Sequence, residues 1–512
     1  MKKLILLLCL QFSFVSALYA QNLSSQGLQD DAKLLWNALN ELHPGLYRHN
    51  DTTILEEKYQ KLLVNFSEDK TPQETFLLLS EFTAAIKCGH TYLNPFNQKN
   101  RIIDTLYNQK KLLPFTFKII KNQWFVYKSV SDNLKKGDEI ISINGILIEE
   151  ILKNITNYIQ TDGGNQPQKI KETELTLTSQ YEYFDYYFPL LYELDSEIKL
   201  EVKKNGKETT EIIMIELLTK EERKKEFEKY FPLLTGNYDD LWKFKIENNQ
   251  YAYLKLGTFA TNELSYDWKK YIDDVFTQIN RQKTPHLIID IRGNKGESKK
   301  VTKYLMEKIA VKEWKPIFKK SYVAYNEVSD SLKTHLTTSN KRNYNASKWT
   351  KRWNENYRVV KGMPNESKVI SSKLMTYKGN IYLLIDEKTS ANAFDLAENC
   401  KENNFATLIG TNTGGTKQGF TAERFFVLTL PNSNLQVDIP LIGHYPIQKF
   451  KNEGIEPNIE TKETLEDFIA KKDKAFDTAI EIIEQVEKDK QEEENKKLEE
   501  ELENDQNEEK QE

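Results

Sequence analysis

The most restrictive stretch of this chain is IYLLIDEKTSANAFDLAENC, from Ile381 to Cys400. It opens as a short apolar strand, turns at Asp386-Glu387-Lys388, and continues as a helix that begins with small residues. From about Gln250 the same alternation recurs. YAYLKLGTF reads as a strand, NELSYDWKKYIDDVFTQI as an amphipathic helix, and HLIIDIRGN as a buried strand running into a glycine turn. FATLIGTN and FFVLTL are further strands. Such alternation argues for a layered α/β domain. Strand, tight turn, serine, helix is also how hydrolase folds present a nucleophile, which makes Ser390 a candidate. Its plainer role is that of a helix N-cap.

The preceding half has two other textures. Residues 21–110 read as a helical domain. DDAKLLWNALNELHPGL places Leu34, Leu35, Leu39 and Leu42 near one face and stops at Pro44-Gly45. Thr71-Pro72-Gln73-Glu74 is a helix-start signal, with the helix ending near Gly89. Residues 111–220 read as a β-rich domain with strands FTFKII, QWFVYKSV and DEIISING and a hairpin over Asn205-Gly206. The α/β domain then spans 221–468. Within it, residues 310–360 are basic and aromatic and read as a solvated insertion, with lining of a substrate groove as the alternative. Residues 469–512 read as helical, then as a charged tail that is disordered or a frayed solvated helix.

The first 20 residues carry the three parts of an export signal: Lys2 and Lys3, the apolar run Leu4 to Val15, and small residues from Ala17 to Ala20. Cleavage there would leave Gln21 first in an exported protein. No other stretch reaches the ~20 apolar residues of a membrane span. Of the three cysteines, Cys88 and Cys400 would remain, too few for a disulfide framework or a cysteine-built zinc site. The net charge of −5 is a property of the tail. Glu487 to Glu512 holds 13 acids and 5 bases, a net −8, which leaves +3 for the rest. No basic domain points to nucleic acid.

CGHTYL, GDEIISING, LIIDIRGNKGES, the stretch from Ile381 to Thr416, and NEGIEPNIE occur in that order. Their order and spacing resemble the tail-specific, or C-terminal-processing, serine proteases, including the tricorn-core-like branch. The likeness covers nearly all of residues 25 to 465. It implies a multidomain α/β protein with a crotonase-like (ββα) catalytic domain and a PDZ-like domain that selects substrate C-termini. It implies a polypeptide or C-terminal peptide as partner and no cofactor.

The family mechanism needs a serine activated either by a lysine kept neutral in an apolar pocket or by a histidine held by polar partners. It also needs backbone N–H donors for the oxyanion. Carried over position by position, the nucleophile's place falls on Ala391, and Ser390 stands one residue early. On a helix that is a rotation of ~100°. The lysine-branch base falls on Thr416, with Lys417 beside it. The tricorn-like base falls on His90, and that branch's glutamate falls near Lys451 and Glu453. DIRGNKGES keeps Gly296 but puts Glu297 where a second glycine belongs, and a carboxylate facing the site would oppose an oxyanion. The candidates are therefore Ser390, His90 and Lys417 for catalysis, and Gly296 and Asn392 for the oxyanion turn. His43, His49, His286, His335 and His444 show no metal-binding spacing. Two readings follow: an exported serine endopeptidase, or a pseudoprotease that binds or scaffolds peptides. Ala391, Thr416 and Glu297 favour the second.

Overall fold

The computed structural model describes residues 22–108, 110–231, 237–317, 319–362, 368–373 and 376–509. The expected export signal, residues 1–20, lies outside them. Three helices come first: α1 (Ser25–Leu42), α2 (Thr52–Asn65) and α3 (Pro72–Ala85). The Ser24 hydroxyl accepts the Gly27 N–H to start α1. A capping box starts α3: Thr71 Oγ1 accepts the Glu74 N–H, and the Glu74 carboxylate accepts the Thr71 N–H at 2.8 Å. Such caps contribute about 1 kcal/mol each. Leu35, Leu39 and Leu42 of the expected α1 stripe are buried with Leu55, Phe76 and Leu79.

A buried histidine follows α1. The Gly45 N–H donates to His43 Nδ1 at 3.1 Å, so the ring proton is on Nε2, facing Thr91 Oγ1 at 3.0 Å. Burial holds the His43 pKa down to about 3. The unfolded chain takes up this proton near the ordinary histidine value, the folded chain only far below it. Stability therefore falls as pH drops from about 6.5 toward 5, by up to about 1.4 kcal/mol per pH unit. Thermal melting followed across this range should show that slope, and His43→Gln should make it shallower, leaving the share of His49, which burial holds down to about 4.

The first sheet is antiparallel: β1 (Phe115–Ile120), β2 (Gln123–Ser129), β3 (Glu139–Ile143), the short β4 (Ile146–Leu147) beside β3, then β5 (Glu197–Lys203) and β6 (Thr210–Glu216), in the order β1-β2-β3-β5-β6. The last two form the expected hairpin, and Gly206 in its loop has φ +79°. The core of this part is aromatic. The Phe117 and Trp124 rings stack at 4.1 Å and Phe184 meets Phe117 edge-on at 4.9 Å. Helices α4 (Ile148–Thr156), α5 (Gln166–Thr173) and α6 (Tyr183–Leu191) complete it. The outer edge of β1 is already occupied. Phe117 N–H donates to Leu175 O at 3.0 Å, and Ile119 N–H to the Glu174 carboxylate at 2.9 Å.

The remaining chain weaves two sheets. After β7 (Trp242–Glu247), β8 (Tyr251–Leu256), α7 (Trp268–Arg281), β9 (His286–Asp290) and α8 (Lys299–Ile309), it crosses to another sheet. There it forms β10 (Lys319–Val323), β11 (Leu336–Thr337), β12 (Thr350–Arg352) and β13 (Arg358–Val360). It returns with β14 (Asn380–Ile385), α9 (Ala391–Glu402) and β15 (Thr407–Gly410), leaves again with β16 (Phe420–Thr429) and β17 (Gln436–Pro446), and comes back with β18 (Ile459–Glu460). One sheet has the order β18-β15-β14-β9-β8-β7, parallel except for β7; the other is antiparallel, β11-β16-β17-β10-β13-β12. Continuous apolar runs such as Leu287–Ile289 and Ile381–Ile385 are buried on both faces, as central parallel strands require. Helices α7, α8 and α9 cover one face.

One expectation changes here and one is narrowed. Residues 310–360 are not a solvated insertion. They supply four strands and the buried Tyr325, Val328, Leu332, Leu336 and Ala346, held by pairings to β16 and β17 about 100 residues away. The charged tail takes the second of its two expected forms, a solvated helix. After the short α10 (Leu465–Ala470), α11 runs from Lys474 to Glu509. Ala475, Ala479 and Ile483 pack α11 on the other face of the parallel sheet, and Lys488–Glu492 and Glu493–Lys497 pairs line its exposed length. Cys88 and Cys400 are free and buried, as expected. Among the described residues, no helix is long and apolar enough to cross a membrane.

Candidate active site

The turn between β14 and α9 is pinned by one carboxylate. Asp386 Oδ1 accepts the N–H groups of Gly293 (2.9 Å), Lys388 (3.1 Å) and Thr389 (3.0 Å). It thus ties the turn to the exit of β9. Ser390 follows in extended backbone (φ −145°, ψ 175°), with its N–H on Asn294 O at 3.1 Å. It occupies the N-cap position of α9, yet its hydroxyl caps nothing and makes no hydrogen bond among the described residues. The cap expected from the sequence is therefore present in position only. Ala391 has φ +47°, a left-handed conformation that costs a non-glycine residue about 1–2 kcal/mol. Its methyl packs on Phe420 and Ala422 of β16. The Ala391 N–H has no partner among the described residues.

Gly296 fits against this helix start with no room for a side chain. A Cβ there would lie 2.3 Å from Asn392 N, 2.4 Å from Ala393 N and 2.5 Å from Ser390 O. Its carbonyl accepts from Asn392 Nδ2 at 2.6 Å and Asn392 N at 3.3 Å, and its own N–H goes to Asn294 Oδ1 at 2.8 Å. Gly296 and Asn392 thus hold each other and brace the turn. Glu297 is turned elsewhere, its carboxylate accepting the Phe259 N–H at 2.6 Å.

Loops from three parts of the chain close around Ser390. The loop 413–416 lies beside it: a Cβ on Gly415 would be 3.9 Å from Ser390 Cα. The N-terminal end of α5 holds that loop, through Asn165 Nδ2 to Gly415 O (2.9 Å) and Gly415 N–H to Gln168 Oε1 (3.0 Å). The loop after α3 joins through Gly89 N–H to Asp162 Oδ1 at 2.8 Å, and Asn452 Nδ2 donates to Gly163 O at 2.8 Å. His90 follows Gly89. Its Nδ1 is buried with no partner, and its ring lies 6.2 Å from that of Phe425.

Two carboxylates feel the charge of His90, and the sequence reading missed both. Burial pushes the Asp162 carboxyl up, while His90 and the Gly89 N–H pull it back. Burial also raises Asp438, against hydrogen bonds from Asn94 and Asn97 and the charge of His90. For Asp162 the available signal was an acid directly before the Gly163-Gly164 turn. Asp438, inside β17, carried none. Lys417 is not in an apolar pocket. Its ammonium pairs with Glu453 at 3.2 Å, and its N–H with Glu453 O at 2.9 Å. Ser390 makes no hydrogen bond to His90 or Lys417. Among the described residues, no group of acids, histidines and cysteines is placed to hold a metal ion.

Beneath α9, Lys319 of β10 is buried between Asp395 and Glu398, 2.9 Å from the latter. This ties the antiparallel sheet to the helix that carries the site.

Residues 250–461 match the family model described as peptidase family S41. This stretch belongs to peptidase family S41. The S41 domain contains Ser390, Lys417, Gly296 and Asn392, while His90 reaches it from the helical segment outside the match. The chain is similar in fold to the crystal structure of mature CPAF, with a TM-score of 0.59 and 14% identity over 87% of this chain and 94% of that one. It is similar also to mature CPAF complexed with lactacystin, with a TM-score of 0.60 and 13% identity over 90% and 98%. No curated protein matches.

Proposed function

We propose that this chain is an S41-type serine endopeptidase acting on polypeptides, with Ser390 as nucleophile and His90 as its base. One observation carries the reading. An unbonded serine hydroxyl stands at the start of α9, directly before a backbone N–H that also lacks a partner. In the reaction His90 takes the Ser390 proton as Oγ attacks the peptide carbonyl. The oxyanion then meets the Ala391 N–H at the positive end of α9. His90 returns the proton to the departing amine, and water resolves the ester by the reverse steps. Asp162 and Asp438 are the acids that stabilise the imidazolium. Ser390 and His90 close to hydrogen-bond distance in the reacting complex.

Export through the N-terminal signal belongs to the same reading, and so does selection of substrate C-termini by a PDZ-like first sheet. With the β1 edge occupied by Glu174 and Leu175, such selection cannot proceed by adding a strand there.

A second reading, the peptide-binding pseudoprotease, is favoured by the strained Ala391, the position on which the family resemblance puts the nucleophile. A fluorophosphonate probe, which phosphonylates activated serines, separates the two. The first reading expects one adduct mapped to Ser390 and none in Ser390→Ala. A native chain that stays unlabelled while Ala391→Ser gains the adduct would establish the second.

A further inference from the structure

A cleft of about 1510 Å³ separates the first sheet from the S41 domain. It is lined by β1 and β2, by the α10–α11 junction, and by the C-terminal ends of β9, β14 and β15. In open parallel sheets ligands bind at those strand ends. Twelve basic against six acidic side chains line it. Most of the acids are engaged already. Asp290 and Asp473 both hold Arg292, Glu463 meets Lys118 at 3.5 Å, and Glu460 meets Lys462 at 2.9 Å. Lys128, Lys136 and Lys471 have no carboxylate partner among the described residues.

Lys128 and Lys136 converge with Lys118, which already pairs with Glu463. The ammonium groups of Lys118, Lys128 and Lys136 lie 5.5, 5.3 and 5.9 Å from the Tyr127 ring centre. Lys136 is also 4.6 Å from the Phe468 ring. Burial and then the charges of Lys471 and Lys118 disfavour the Lys136 ammonium, against a smaller pull from the Glu463 carboxylate. Aromatic faces partly compensate such crowding, and a bound anion would relieve it.

The geometry points to a docking site for an acidic polypeptide segment, whose carboxylates pair with Lys128, Lys136 and Lys471. The choice of a polypeptide rests on the peptidase reading and on two features of the cleft. Its volume exceeds the ~300–1,000 Å³ of small-molecule pockets. Its lining also includes Asp386 and Glu387, so an acidic segment with neutral or basic residues between its carboxylates fits it better than a uniform phosphate backbone. Because the β1 edge is filled, recognition on this side falls to side chains. Thr389 and Ser390 follow Asp386 and Glu387 along the chain but do not themselves line the cleft.

Fluorescence anisotropy on the full chain carrying Ser390→Ala tests the site, with a labelled Glu- and Asp-rich peptide and its Gln and Asn counterpart. The acidic peptide should bind, weaken as salt rises, and lose about tenfold or more in affinity when Lys128, Lys136 and Lys471 are all changed to Gln. Single Lys136→Glu gives the same reading if the triple variant misfolds. Equal binding of both peptides, unchanged affinity in the variants, or tighter binding of single-stranded DNA through the same lysines would overturn the proposal. Binding without cleavage in the native chain would instead count against the peptidase reading alone.

Discussion

Replacing Ser390 by alanine is expected to lower kcat on an unfolded polypeptide by at least about 10³-fold. The melting temperature should stay close to that of the native chain. The two halves have separate reasons. The hydroxyl makes no hydrogen bond, and the residue is largely buried, so its loss removes no bond and leaves only a small void. Chemistry suffers because the neighbouring hydroxyl, that of Thr389, is already committed to Ile291 O and Asp386. His90→Ala should match the loss, since a nucleophile and its base act as one unit. Lys417→Ala should stay within a few-fold of the native rate, because it breaks a partly exposed ion pair worth about 1 kcal/mol or less. Initial rates on a fluorogenic unfolded protein give all three. A Ser390→Ala chain as active as the native one would remove Ser390 from the mechanism, and a rate collapse in Lys417→Ala would move the base to the lysine.

The second large effect is structural. Gly296→Ala should destabilise the chain by about 3–4 kcal/mol, combining left-handed strain with overpacking. The new methyl would meet three backbone atoms of the α9 start within 2.5 Å, and backbone yields far less than a side-chain tip. Gly293→Ala is the control. Its φ is +79°, but nothing lies within 4 Å of the added methyl, so only the strain of about 1–2 kcal/mol remains. Denaturant unfolding of the pair measures the difference. A Gly296 variant no worse than the Gly293 one would mean that the α9 start moves aside freely.

Local pattern carried much of the fold. The strands at 115–120, 139–143 and 286–290 and the box at Thr71 are written in neighbouring residues, and they form where read. β10 to β13 are short, polar and basic, and become strands only because β16 and β17 offer them distant partners. The site divides along the same line. Counting along the chain separated Ser390 from Ala391, and the backbone gives each a distinct state, extended for one and left-handed for the other. Counting could not reveal that Glu297 is tied to Phe259, or that Lys417 is paired with Glu453, since both depend on segments about 40 residues away in sequence. Asp162 and Asp438 reach His90 only through tertiary packing.

The filled edge of β1 has a consequence beyond substrate choice. A bare edge strand is a template on which a second chain can zip, the first step toward aggregates. Phe117 and Ile119 already donate their N–H groups to Leu175 and Glu174. Glu174 also places a buried negative charge, matched by Lys171 at 2.8 Å, against the line such a chain would follow. At this margin of the sheet, the protein protects its own solubility at high concentration.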